Sequence, residues 1–206
     1  MHLRRISRWS LVLGAAYALF ACESTGTGIG TLAVRLTDAP FPFDSVSRVD
    51  AWITRVDARV TTTDSAEVAA NADEASAASH GWTTLATPNQ SYELLALRDG
   101  ITAFLGANQL RAGEYNGFRL ILDPAKSSLT LKNGTVLDGA NGGIKFPSGA
   151  QTGIKIVLAQ PVTIVANDTT QLVVDFDVSQ TFVMRGNSLA QNGLLFKPVV
   201  RATVQR

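Results

Sequence analysis

The chain has 206 residues, 46% hydrophobic and 17% charged, with one cysteine, two histidines and a formal net charge of +1. That length supports one domain with a substantial core. The residue counts exclude an intrachain disulfide, Ser-His or Cys-His catalysis and a His-rich zinc site.

Arg4, Arg5 and Arg8 precede an apolar run over residues 9–20. About a dozen apolar residues fit the ~7–15 of a signal-peptide core and fall short of the ~20 of a membrane span. Leu19-Phe20-Ala21-Cys22 closes the run and resembles a bacterial lipobox. The resemblance implies a lipoprotein signal peptide over 1–21, drawn as an N-terminal signal helix, and a covalent lipid, palmitate among its chains, on Cys22. Three acyl chains at ~0.8 kcal/mol per buried methylene hold a chain at a membrane. Glu23, rather than Asp, follows the cysteine, which by the same resemblance implies the outer membrane of the cell envelope. Removing 1–21 takes three arginines and no acids, leaving 15 Lys+Arg against 17 Asp+Glu, a formal charge of −2. A weakly acidic, mixed surface argues against nucleic acid as partner.

Residues 22–29 read as a lipidated Gly/Ser/Thr tether, and 30–206 as the folded domain. The first strand covers 29–36, with Leu32, Val34 and Leu36 on one face, and Pro40 and Pro42 then impose a loop that carries Phe41 and Phe43. A long strand over 46–61 changes phase near Thr54-Arg55, since Val49, Ala51 and Ile53 share one parity and Val56, Ala58 and Val60 the other; that predicts a bulge. Residues 64–80, rich in alanine, lack an apolar face and read as an exposed low-complexity insertion before a returning strand at 82–85.

Short strands follow at 91–97 and 101–105 around Asp99-Gly100, then a strong one at 115–122 with Phe118, Leu120 and Leu122 inward. Tyr115 at its entry suits a ring-buried, hydroxyl-tied corner. Asn133-Gly134 marks a hairpin between 129–132 and 135–137. Residues 139–153 read as loop, 154–165 as a strand broken by Pro161, 181–184 as a short apolar strand, 185–193 as loop and 194–204 as a last strand broken by Pro198. This pattern predicts an all-β fold, an antiparallel β-sandwich of the transthyretin-like or Greek-key kind, with a closed barrel as the alternative.

The stretch 170–178, TQLVVDFDV, alternates Val174, Phe176 and Val178 against Val173, Asp175 and Asp177. Same-face aspartates two apart lie ~7 Å apart, within the span of glycosidase carboxyl pairs. A calcium site, with Asp38, Asp44 or Asp123 as further donors, is a second reading, although no loop here has a dedicated calcium spacing. The reading adopted is a cross-strand charge ladder of Arg119, Lys155, Asp175, Asp177, Lys197 and Arg201, with no catalytic residue, no metal and no cofactor beyond the lipid on Cys22. Phe41 and Phe43 are candidates for stacking on a ligand; Trp52 and Trp82 are expected in the core.

Residues 36–40 (LTDAP), 110–115 (LRAGEY), 118–120 (FRL), 146–149 (FPSG), 153–155 (GIK), 174–177 (VDFD) and 197–201 (KPVVR) occur in an order that resembles the bacterial lipoprotein domain of unknown function 4382. The likeness spans about 30 to 204 and agrees with a lipid anchor at Cys22. It implies no activity. The expected role is a non-catalytic binding or assembly module whose partners are the membrane, through its lipid, and another envelope protein or a glycan. A carbohydrate-active hydrolase and a calcium-binding adhesion domain are the alternatives.

Overall fold

A computed structural model describes residues 28–38, 45–60, 82–147 and 153–205. The expected signal peptide, Cys22, Phe41, Phe43, Asp44 and the insertion at 64–80 lie outside the described residues.

Described elements run β1 (Ile29–Thr37), β2 (Val46–Val60), β3 (Trp82–Ala86), β4 (Gln90–Glu93), β5 (Ala103–Arg111), β6 (Gly113–Leu122), β7 (Ser128–Leu131), β8 (Val136–Asp138) and β9 (Ile144–Lys145). They continue with β10 (Ile154–Leu158), β11 (Val162–Ile164), β12 (Thr169–Phe176), α1 (Val178–Thr181), β13 (Phe182–Met184), α2 (Leu189–Asn192), β14 (Leu194–Phe196) and β15 (Val200–Gln205). The all-β expectation holds. Twelve strands form one sheet along the path β5-β1-β12-β15-β10-β6-β2-β7-β8, with β11 on β6 and both β3 and β4 on β2; β13-β14-β9 form a second, smaller sheet.

The sheets are mixed, which corrects the purely antiparallel expectation. β1 runs parallel to β12, β10 to β15 and β14 to β9. None of these pairs is joined by a tight turn, so nothing local reverses the chain between them.

Alternation places the core. Leu32, Val34 and Leu36 on β1 and Leu172, Val174 and Phe176 on β12 are fully buried. β2 is long because it serves four partners: β7 and β6 along one side, β4 and β3 along the other. Its register against β6 shifts between Ile53 and Arg55, so the inward set passes from Val49, Ala51 and Ile53 to Val56 and Ala58. The phase change at Thr54-Arg55 is this bulge.

The large sheet curls until β5 comes alongside β3 and β4. Asn108 Nδ2 donates to the Thr84 carbonyl at 3.0 Å, and Tyr92 Oη to the Phe104 carbonyl at 3.4 Å. Gly106 sits there at φ +149°, and a Cβ on it would lie 2.5 Å from Ala86 Cβ, so the approach needs glycine.

Three local expectations change. Residues 91–97 are a strand only to Glu93; Leu94–Leu97 form a 3-10 turn capped by the Glu93 carboxylate, because Leu94 and Leu97, three apart, are the pair that is buried. β9 and α2 occupy stretches read as loop. Pro198 ends β14 and frees β15 to join the other sheet.

The corner at β6 forms as expected. Tyr115 is 3% exposed and its hydroxyl donates to the Arg111 carbonyl at 3.2 Å. Tyr115→Phe should lower the unfolding free energy by about 1 kcal/mol in urea titrations, with an unchanged dependence on urea. A loss below about 0.3 kcal/mol would show that the hydroxyl does not hold this corner.

Candidate functional site

Asp175 is the penultimate residue of β12, opposite Thr37 of β1 and Arg201 of β15. Its Oδ1 is buried and has no hydrogen-bond partner among the described residues. Burial pushes its carboxyl above the ordinary value of 3.8, Asp177 adds to the rise, and Arg201 opposes it. Asp177 is not a strand residue. It caps α1, accepting from the Gln180 N–H at 3.2 Å, and also from the Ser179 hydroxyl and the Gln180 amide. Arg201 Nη1 stands 4.0 Å from Asp177 Oδ2.

Other motif residues meet at the same end. Asp38 Oδ1 accepts from the Val178 N–H at 3.0 Å, and the Asp177 N–H donates to the Val199 carbonyl at 3.1 Å. Lys197 N–H donates to the Thr181 carbonyl at 2.7 Å, while the Thr181 hydroxyl donates to the Asp177 carbonyl at 2.7 Å. Segments 36–38, 174–177 and 197–201 are thereby tied into one knot, through backbone and capping bonds.

A carboxyl whose folded pKa is raised holds its proton more tightly folded than unfolded. Its contribution to stability is therefore complete below the ordinary value near 3.8 and is lost as pH rises through the folded pKa. Asp175→Asn should melt above wild type at pH 7, and the difference should shrink as pH falls toward the ordinary carboxylate range. A gap that widens on acidification would contradict this placement of Asp175.

Arg119 and Lys155 are not neighbours of these aspartates, because β15 stands between β12 and β10. The expected ladder divides: Arg201 remains with Asp175 and Asp177, whereas Arg119 goes to Asp57. One cross-strand row runs Lys155 on β10, Arg119 on β6, Asp57 on β2 and Thr84 on β3. Asp57 faces outward by parity yet is 1% exposed. Arg119 Nε donates to it at 2.8 Å, the Thr84 hydroxyl at 3.2 Å, and Arg55 Nε pairs with it at 2.8 Å. Gly153 at φ +122° leaves room for the Arg119 stem, 2.5 Å from where a Cβ would stand.

In the adjacent row Arg59 faces Trp82. The guanidinium carbon of Arg119 lies 4.5 Å from the Trp82 ring centroid and that of Arg59 lies 5.2 Å from it. Both tryptophans expected in the core stand half-buried on outer faces; Trp52 bonds Asn89 Oδ1 at 3.1 Å and carries Lys126 over its ring. The parity that buries Ala51 and Ile53 sends Trp52 outward, so the pattern itself held the signal. Arg55, Asp57 and Arg59 were equally readable as one face once the bulge at 54–55 was placed.

An open groove of about 540 Å³ lies elsewhere, between the turns at 124–125 and 139–142, β9 and Arg185. Among the described residues no three His, Cys, Asp or Glu side chains gather as a metal site.

A protein-family model described as a domain of unknown function (DUF4382) matches residues 29–198. The chain belongs to this family. The DUF4382 match starts at the first residue of β1 and includes every described strand except β15. The ordered motifs from 36–40 to 174–177 lie within it, so the resemblance read from them holds. No curated protein and no solved structure matches the chain.

Proposed function

We propose that this DUF4382 chain is a non-catalytic binding module of the cell envelope, lipid-anchored through Cys22 in the outer membrane, and that its partner is an anionic glycan. The observation that carries the partner is the outward face of β10, β6, β2 and β3. There Lys155, Arg119, Arg55 and Arg59 lie around the carboxylate of Asp57, which is itself buried. The Trp82 ring and Asp57 fix the guanidinium groups before any ligand arrives. Arginine forks match sugar carboxylates in two-point geometry, and Arg59 and Lys155 are the exposed cations of the set.

The test uses residues 22–206 with Cys22→Ser, which keeps every described residue. In affinity electrophoresis, polygalacturonate should retard this protein and neutral dextran should not. Arg59→Gln with Lys155→Gln should weaken the interaction roughly tenfold, about 1.4 kcal/mol over two exposed contacts. No retardation, or equal retardation by dextran, would overturn the glycan reading. The anchor has its own test: Cys22→Ser in the full chain should remove the acyl mass and release the protein from membranes.

A second reading, a carbohydrate-active hydrolase, draws on Asp175, whose raised pKa beside Asp177 is what a general acid requires. It predicts new reducing ends from a glycan and their loss in Asp175→Asn.

A further inference from the structure

The small sheet turns Phe182, Leu194, Phe196 and Ile144 inward and leaves its other face in solvent. Across that outer face Val183 stands opposite Leu195, and Leu195 opposite Lys145. Strand parity carries Arg185 and Lys197, just past β13 and β14, toward the same side. Val183 is 44% exposed and Leu195 37%. Lys145, Arg185 and Lys197 are exposed, and none has an acidic partner among the described residues. No acid occurs in residues 182–185, 194–197 or 144–147. Lys145 and Arg185 also line the 540 Å³ groove, beside Phe146 and Pro147.

We propose that this face is a lipid-contact surface for a membrane with anionic headgroups. Lys145 and Arg185 receive headgroup phosphates at the groove, Lys197 adds a third cation, and Val183 and Leu195 enter the boundary between headgroups and acyl chains. Cations without acids, set around exposed apolar side chains, match the two components of such a surface, whereas a soluble polyanion matches only the first. The proposal does not depend on the glycan face or on the lipid of Cys22.

Residues 22–206 with Cys22→Ser should float with phosphatidylcholine vesicles only when they contain phosphatidylglycerol. Lys145→Gln, Arg185→Gln and Lys197→Gln together should reduce partitioning on the order of 100-fold, roughly fivefold per charge. Val183→Ser with Leu195→Ser should also reduce it, on the same vesicles, without a change in the melting curve. Arg59→Gln with Lys155→Gln should bind vesicles as wild type does, which separates this face from the glycan site. Four results would each overturn the proposal: no flotation with phosphatidylglycerol, equal flotation with neutral vesicles, an unaffected triple variant, or normal binding by the serine variant. A dimer that dissociates in the serine variant, without flotation, would assign the face to a second copy of the chain instead.

Discussion

Phe196→Ala should lower the unfolding free energy by about 3–5 kcal/mol, the range for removing a buried phenylalanine. Phe196 is 2% exposed and is the meeting point of four rings. Its centroid lies 4.8 Å from Phe146, 5.5 Å from Phe182 and 6.2 Å from Phe176. Phe176 belongs to β12 of the large sheet, whereas Phe182 and Phe196 belong to the small one. The substitution therefore removes the wedge that joins the sheets as well as its own transfer energy. Urea unfolding measures the cost, and limited proteolysis should cut first within 182–197. Phe196→Leu, which fills most of the space, should retain most of the stability. A loss under about 1 kcal/mol in Phe196→Ala would mean that the small sheet is held by something else.

Asp57→Ala should cost about 3 kcal/mol. The Arg119 side chain is 19% exposed, so the substitution takes the carboxylate from a largely buried cation. Arg55, at 43%, is rescreened by water and adds little. A double-mutant cycle between Asp57 and Arg119 should give strong coupling that changes little with salt, because the pair is shielded from counterions. The corresponding cycle between Asp175 and Arg119 should give none, since two strands lie between them. Coupling in the second cycle and not the first would contradict the strand order itself.

These two cycles mark where the sequence stops being informative. The alternation of Leu32, Val34 and Leu36, the phase change at Thr54-Arg55, the hairpin at Asn133-Gly134 and the corner at Tyr115 are local. Each is decided by residues within a few positions, and each was legible. Which cation meets which aspartate is decided by strand order, and β1, β12, β15 and β10 are brought together across long stretches of chain. Local pattern holds no record of that order. Asp177 failed differently: two residues past Asp175 it looks like the next outward strand position, but Ser179 and Gln180 supply donors that make it a helix cap. Asp57 combined both difficulties. Its parity was readable after the bulge, while its burial is produced by Arg119 from another strand.

The place of β15 bears on how the molecule comes into being. It lies between β12 and β10, near the middle of the sheet, yet follows every other described strand along the chain. Until residues 200–205 emerge, β12 and β10 each keep one edge open, and the two halves of the sheet lack the ladder that β15 supplies between them. Such edges are templates for the wrong partner. At ~5–20 residues per second of synthesis, the halves wait with those edges bare, and closure is a late event dominated by distant pairings. The same order makes the nascent chain slow to lock into its native pairing.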